Sequence, residues 1–281
     1  MSFDERRFGE RVAEVRKLWE MKEVVFDKAF LASASKEMEL YFMFRGVSKS
    51  EEDERRINKM GLRYDITIIP PNTLGSEFVK TAGHYHPTFS DGSDLTFPEI
   101  YEVLEGEAHY LLQRREEGKV QQREKVQRGE KVQRGEKVQR GEAEKITDVV
   151  VVKAEEGDKV LIPPNYGHVT INPSEKKETL KMANWVASGW SSIYEPIKRK
   201  GGAAYFELTS GEFVKNENYG AVPEIRFLKA SGAESASVLK ELGLSREQKM
   251  YELIEEPEKL KFLTNPTFFH KESWVKETYI F

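Results

Sequence analysis

The segment TAGHYHPTFSDGSDLTFPEIYEVLEG, Thr81 to Gly106, carries the strongest structural signal in this chain. It contains His84 and His86, two of only five histidines, separated by a single residue. Residues i and i+2 of a β-strand point to the same face, so these imidazoles should lie side by side. A polar stretch of turn formers follows, and Pro98 then opens an apolar run that predicts a returning strand. The return would bring Glu99 beside the histidine pair.

A third imidazole, His168, occurs much later in the segment PPNYGHVTIN. Three neutral imidazoles and one carboxylate suit a divalent first-row metal with open coordination positions. The chain has no cysteine, so any metal must bind nitrogen and oxygen ligands. The pattern therefore predicts a metal site formed by His84, His86, Glu99 and His168.

The neighbouring carboxylates and histidines are weaker candidates. Glu102 has the opposite strand parity from Glu99 and should point away from the imidazoles, whereas Glu105 lies too far along at a turn. We expect His109 to be a packed or rim residue and His270 a surface residue of the tail.

Composition excludes several classes of protein. The formal net charge of −4 argues against a general affinity for nucleic acid or anionic membranes. No run of about 20 apolar residues is present to form a transmembrane helix. The amino terminus is charged and lacks an apolar signal core, which predicts a cytoplasmic protein.

Most of the chain is typical of short strands separated by turns, which indicates an antiparallel barrel or double-sheet roll. The predicted strand regions are residues 37–46, 62–87, 99–113, 148–172 and 179–194. Two charged regions do not follow this strand pattern. Apolar side chains at near-helical spacing predict an amphipathic helix over residues 4–23. Residues 48–61 indicate a charged loop or short helix.

A six-residue repeat, GEKVQR, interrupts the strand pattern between Arg123 and Glu142. One valine per repeat cannot build a core, so we interpret the tract as an expanded hairpin loop. Beyond residue 201 the pattern changes to a small hairpin and two short helices, the second with a capping box at Ser245 and Gln248. The aromatic tail should pack against the core or a second subunit.

These features predict three regions. Residues 1–36 form an amino-terminal helical arm and residues 37–205 form the barrel. The charged repeat loop is placed at residues 117–146 within that barrel. Residues 206–281 form a carboxy-terminal α/β extension.

The histidine segments resemble the two motifs of the cupin superfamily. The first motif matches His84, His86, Glu99 and Gly106, although twelve residues separate His86 from Glu99 where three or four are usual. The second motif matches Gly157, Pro163, His168 and Asn172. This resemblance implies a mainly β cupin fold, a double-stranded β-helix or jelly-roll barrel.

Within cupins, the segments TAGHYHP, PEIYEVLEGEAHYLLQ and IPPNYGH resemble the metal-dependent glucose-6-phosphate isomerases of archaea and some bacteria. The resemblance covers about residues 18–205. It implies isomerisation of glucose 6-phosphate and fructose 6-phosphate in glycolysis and gluconeogenesis, by a homodimer. It also implies one divalent metal per subunit, iron or manganese first and nickel or zinc as alternatives.

The same resemblance assigns site residues position by position. His84, His86, Glu99 and His168 match the metal ligands, and Tyr101 matches a tyrosine that faces the sugar. The positions that match the phosphate pocket are Tyr41, Thr67, Thr81, Gly83 and Tyr194. A further phosphate-side tyrosine corresponds to Trp185, which departs from the family pattern.

The chemistry of these residues agrees with the assignment. Hydroxyls and backbone N–H groups can bind a phosphate dianion without an arginine cluster. A metal with open positions can polarise two sugar oxygens. Hydrogen could then move between C1 and C2 through Glu99 and a cis-enediol, or by direct hydride shift, and both routes remain open. Another metal-dependent cupin enzyme, such as a sugar-phosphate epimerase or an Fe(II) oxygenase, and a non-catalytic sugar-binding cupin are the alternatives.

Overall fold

The computed structural model describes residues 7–8, 11–89, 93–116, 145–173, 178–265 and 268–269. The strands of the amino-terminal half are β1 (Arg7–Phe8), β2 (Arg11–Val12), β3 (Glu14–Lys17), β4 (Glu39–Phe44), β5 (Leu62–Ile69), β6 (Thr73–Leu74), β7 (Glu77–Phe78), β8 (Glu99–Glu105) and β9 (Glu107–Arg115). Those that follow are β10 (Ile146–Glu155), β11 (Lys159–Ile162), β12 (Tyr166–Ile171), β13 (Leu180–Ala187), β14 (Tyr205–Glu207), β15 (Phe213–Lys215) and β16 (Arg226–Lys229).

The helices are short and lie outside the sheets. The α-helices are α1 (Leu18–Met21), α2 (Lys28–Ser33), α3 (Glu51–Lys59), α4 (Glu195–Arg199) and α5 (Ala233–Glu241). Three 3-10 helices cover Glu217–Tyr219, Met250–Glu255 and Pro257–Leu263. Among the described residues, no helix combines the length and the apolar character needed to cross a membrane.

Two sheets build a mainly β cupin barrel, as the sequence predicts, and all their strand pairs are antiparallel except the parallel pair of β10 and β16. One has six strands in the order β11-β8-β13-β5-β4-β3, and the other has four in the order β12-β9-β10-β16. The segment ahead of the first histidine extends the second sheet, because Lys80 bridges to Ile171 and His84 bridges to His168. Buried side chains of both sheets share one apolar core. Between β8 and β13 the chain crosses repeatedly from one sheet to the other, which carries distant sequence segments to one interior.

The predicted helix over residues 4–23 is wrong for most of its length. Residues 11–12 and 14–17 form strands, and only the single turn of α1 is helical. β3 pairs with β4 in antiparallel register, with Arg16 opposite Tyr41, at the edge of the six-stranded sheet. Backbone pairing to an open sheet edge outweighs the weak helical preference of this short segment. Part of the predicted arm is therefore an edge strand of the barrel.

The described residues of the long gap between His86 and Glu99 pair with one another in the manner of a small hairpin. Thr88 bridges to Thr96, and the ring centroids of Phe89 and Phe97 lie 4.2 Å apart. The Thr96 amide donates to Asn165 Oδ1 at 2.9 Å, and the Asn165 amide donates to Thr96 Oγ1 at 2.6 Å. We name this segment, residues 87–98, the inserted hairpin. Its bonds tie it to the turn that precedes β12.

The carboxy-terminal residues cover the outer faces of both sheets. Ala203, Ala204, Tyr205 and Tyr219 pack on the outer face of the four-stranded sheet. The predicted hairpin is present as β14 and β15, and the first predicted helix as α5. The second predicted helix is wrong in type and start, since a 3-10 helix begins at Met250. Ser245 Oγ still accepts the Gln248 amide at 3.4 Å, but ahead of that helix.

Two predicted regions fall largely outside the described residues. The repeat from Arg123 to Glu142 is among them, and the strands that flank it, β9 and β10, pair as a hairpin should. Of the aromatic tail, Phe268 and Phe269 are described, and Phe269 is buried in the core. His270 also lies outside the described residues.

Candidate metal centre

The strand pairing of the second sheet brings His84 and His168 together. The His84 amide donates to the His168 carbonyl at 3.1 Å, and the His168 amide donates back at 3.0 Å. His86 follows two residues later, and its ring centroid lies 5.1 Å from that of His84. Side chains distant in sequence therefore become neighbours through a single backbone bridge.

The six-stranded sheet supplies the carboxylate from the opposite side. Glu99 is the first residue of β8 and is buried, and its Oε1 accepts a hydrogen bond from Asn184 Nδ2 at 2.6 Å. Its Oε2 lies 3.3 Å from His86 Nε2 and 3.4 Å from His168 Nε2. One carboxylate oxygen is thus anchored while the other faces the imidazoles.

These four residues form a cluster that could hold a metal ion. One ligand atom of each of His84, His86, Glu99 and His168 lies within 4.8 Å of all the others. The Nε2 atoms of His84 and His86 approach to 3.2 Å. Glu99 Oε2 is buried and has no hydrogen-bond partner among the described residues. An orphaned carboxylate oxygen beside converging ring nitrogens fits a divalent cation with nitrogen and oxygen ligands.

Hydrogen bonds outside the cluster orient its members. His86 Nδ1 lies 2.7 Å from the carbonyl oxygen of Phe97, so Nδ1 carries the hydrogen and leaves the lone pair of Nε2 free. The Tyr101 hydroxyl lies 3.2 Å from His168 Nε2. The inserted hairpin therefore fixes the orientation of a candidate ligand.

Burial keeps two of the imidazoles, those of His84 and His168, neutral. Burial lowers the pKa of His168 to about 4, although Glu99 acts to raise it. Burial and the neighbouring His168 and His86 hold the pKa of His84 well below its ordinary value. Burial alone would raise the pKa of Glu99, but His86 and His168 outweigh it and the net direction is downward. Neutral imidazoles and an ionised carboxylate are the forms that bind metals.

The residues matched to the phosphate pocket line the same cavity, whose empty volume is about 540 Å³. Tyr41, Thr67, Thr81, Gly83 and Tyr194 all form part of its wall. Burial raises the pKa of Tyr41 to about 12, so its hydroxyl stays protonated at neutral pH. The Tyr194 ring lies 5.4 Å from that of His84, which links the hydroxyl-rich wall to the cluster.

Gly83 makes a close backbone approach possible. Its φ is 73°, and a Cβ there would lie 2.6 Å from Val169 Cγ2 and 3.1 Å from Ile197 Cδ1. Only glycine avoids both the strained backbone and this crowding. The chain can therefore pass tightly between the cavity and the four-stranded sheet.

Two arginines that sequence reasoning missed also line the cavity. The buried carboxylate of Asp65 accepts from Arg45 Nη1 at 2.8 Å and from Arg63 Nε at 2.8 Å. Two guanidinium groups share one carboxylate, which leaves an excess positive charge on this wall. The signal was present as alternate residues Arg63, Asp65 and Thr67 on one strand face, which point inward together.

The other carboxylates, histidine and tryptophan considered in the sequence all lie outside the cluster. Glu102 points away from the cluster, as predicted, and binds Lys159 Nζ at 3.2 Å. Glu105 is exposed at its strand end. His109 lies at the rim of a different cleft, where its Nδ1 is 2.7 Å from Glu207. Trp185 faces outward and donates to the Met250 carbonyl at 2.8 Å, so it is not a cavity residue.

Asn184 and Trp190 are cavity residues that the sequence did not reveal. Asn184 lies opposite both Asp65 and Tyr101 in the strand registers, which only the folded sheet shows. The Trp190 ring lies 4.5 Å from that of His86. The alternation of β13 could have placed Asn184 inward, but no sequence pattern assigns it to Glu99.

A jelly-roll barrel with this His-x-His pair, glutamate and late histidine at its centre defines a cupin with a candidate metal site. Residues 15–224 match the family model described as "Glucose-6-phosphate isomerase (GPI)". The chain belongs to that family.

Solved structures provide distant likenesses only. Hazelnut (Corylus avellana) vicilin has 13% identity and a TM-score of 0.30, covering 54% of this chain and 28% of that one. Capsicum annuum vicilin has 10% identity and a TM-score of 0.30, with coverage of 54% and 29%. A cupin-like protein from Thermotoga maritima has 16% identity and a TM-score of 0.26, with coverage of 58% and 85%. This chain thus spans less than a third of the vicilins' length. The search among curated proteins gave no significant match.

Proposed function

We propose that this protein interconverts glucose 6-phosphate and fructose 6-phosphate at a divalent metal bound by His84, His86, Glu99 and His168. The observation that carries the proposal is the orphaned Glu99 Oε2 facing converging ring nitrogens within a cavity of the family's barrel. A sugar phosphate suits the cavity, because its wall combines the candidate metal ligands with several hydroxyl side chains.

The cavity wall supports an anionic substrate. Tyr41, Thr67, Thr81 and Tyr194 offer hydroxyls, and the tight turn at Gly83 lets backbone approach the ligand. The excess charge of the arginine pair adds electrostatic attraction for a phosphate dianion. We assign phosphate binding to the hydroxyl wall, as the family resemblance implies, with the arginines raising the local potential.

The chain's own residues supply orientation and proton transfer. When bound, a divalent ion would act as a Lewis acid toward the two sugar oxygens that exchange carbonyl and hydroxyl character. Glu99 is fixed through Oε1 by Asn184, so Oε2 would have to leave or share its bond to the metal in order to carry a proton between C1 and C2. Burial and the adjacent Glu99 hold the pKa of Tyr101 well above its ordinary value, so its hydroxyl remains a donor toward the sugar.

Several finer features belong to the same proposal. We assign iron or manganese as the resident metal, because imidazole and carboxylate ligands suit both ions, with nickel or zinc as alternatives. We also propose a homodimer, which the family resemblance supports, and a cytoplasmic location. Its place in metabolism would be glycolysis and gluconeogenesis.

A coupled assay tests the function directly. Purified protein should convert fructose 6-phosphate to glucose 6-phosphate, detected with glucose-6-phosphate dehydrogenase. Activity should vanish after chelation and return with added manganese or iron. His168→Ala should lose bound metal, measured by elemental analysis, while retaining the wild-type circular dichroism spectrum. Full activity after exhaustive metal removal would contradict the proposal.

The hydrogen-transfer route can be separated in the same assay. If Glu99 carries the proton, the reaction in D₂O should place deuterium on the product at the exchanging carbon. Direct hydride shift should leave that carbon without solvent deuterium. Mass spectrometry of the product distinguishes these outcomes.

A further inference from the structure

Trp190 carries a buried polar group that the proposed mechanism does not use. Its Nε1 is shielded from solvent and has no hydrogen-bond partner within the described part of the chain. An unpaired buried donor is destabilising, so native proteins rarely retain one without a ligand or water to accept its hydrogen. The indole N–H therefore requires an explanation.

The position of Trp190 points to a ligand. The residue follows β13 in the chain and forms part of the wall of the cavity that contains the candidate metal cluster. Its ring centroid lies 4.5 Å from that of His86, and it stacks on Phe97 at 5.6 Å with an interplanar angle of 22°. Both contacts place the indole at the metal end of the cavity rather than at the hydroxyl-rich wall.

We propose that Trp190 is a substrate-binding residue whose indole N–H donates a hydrogen bond to a sugar oxygen at the end of the substrate that faces the metal. The inference rests on the proposed function and adds a residue to it. The contacts with His86 and Phe97 hold the ring over the site, so the donor is oriented before the substrate arrives. The ring also excludes water from the space beside His86.

The chain provides a matched control in Trp185. It lies five residues earlier and is fully buried, and its indole N–H donates to the Met250 carbonyl at 2.8 Å outside the cavity. Replacing either tryptophan with phenylalanine removes an indole N–H and retains an aromatic ring. Only the substitution at Trp190 removes a donor available to substrate.

The test compares Trp190→Phe with Trp185→Phe in metal-loaded protein. We expect kcat/KM for fructose 6-phosphate to fall about tenfold in Trp190→Phe, the scale of one lost hydrogen bond. Trp185→Phe should unfold at a lower temperature but keep kcat/KM within about twofold of wild type. Metal content should be unchanged in both variants, which shows that the loss does not arise at the metal.

Fluorescence gives a readout independent of turnover. Fructose 6-phosphate should change the tryptophan emission of the wild type and of Trp185→Phe, and the change should be absent from Trp190→Phe. Unchanged kcat/KM in Trp190→Phe, or an emission change that survives this substitution, would overturn the inference while leaving the isomerase proposal intact. A wild type that binds metal but does not isomerise would instead overturn the proposed function.

Discussion

Glu99 has two unequal oxygens, and the difference depends on Asn184. The amide of Asn184 donates to Oε1 at 2.6 Å, which turns Oε2 toward His86 and His168. Without this bond the carboxylate could rotate about its last torsion, which is broad for sp³–sp² bonds. Asn184 is therefore placed to act on a bound metal through the ligand Glu99.

Asn184→Ala should weaken metal binding by about 10- to 100-fold, the usual effect of losing a hydrogen bond to a ligand. Isothermal titration calorimetry of the metal-free protein with manganese measures the change in affinity. Met182→Leu is the matched control, because Met182 lines the cavity from the same strand but does not contact Glu99 through a hydrogen bond. Equal affinities in wild type and Asn184→Ala would show that Glu99 is oriented by something else.

At the scale of elements, the β9–β10 hairpin illustrates how a long insertion can be tolerated. Ile146 pairs with Arg115, and the Glu116 amide donates to the Lys145 carbonyl at 2.8 Å. The ends of the charged tract are therefore adjacent at the edge of a formed ladder. The entropic cost of closing a loop grows only slowly with its length.

Deleting Arg123 to Glu142 should leave kcat and KM for fructose 6-phosphate within about twofold of wild type, because the remaining residues can still join the paired ends of β9 and β10. The shorter loop should change the unfolding free energy by less than about 1 kcal/mol. Steady-state kinetics and denaturant unfolding measure both quantities. A large loss of turnover would mean that the tract contributes to the site.

The same elements show what a sequence can predict. Alternation and turn residues were sufficient for the hairpins, and two motifs were sufficient to bring His84, His86, Glu99 and His168 together. The strand at Glu14–Lys17 was missed because its pairing with β4 is a tertiary contact that local spacing does not contain. Asn184 and Trp190 were missed for a similar reason, since their roles depend on which strand or loop lies across the cavity.

At the scale of the whole molecule, neutral buried histidines couple folding to pH. The pKa of His168 is lowered to about 4 and that of His84 also lies well below its ordinary value, in both cases chiefly through burial. Below about pH 6.5 the unfolded chain takes up protons that the folded chain does not. The unfolding free energy is therefore not reduced by these two histidines above pH 6.5, and it declines as the pH falls toward 4.

Metal-free protein should lose on the order of 3 kcal/mol of unfolding free energy from His168 alone between pH 6.5 and pH 4. Denaturant unfolding in the presence of a chelator at several pH values measures this slope. His168→Gln removes the titrating group and should show a shallower decline. An equally steep decline in that variant would assign the pH dependence to other groups.

The inserted hairpin at residues 87–98 has a consequence for how the ligand set comes together. It lengthens the chain between His86 and Glu99, and a longer connection by itself constrains the distance between two ligands less. Two reciprocal hydrogen bonds between Thr96 and Asn165 connect this segment to the turn before β12. Asn165 lies three residues before His168, so these bonds link the segment to the third histidine ligand. An arriving ion would therefore meet donors whose separations are already set.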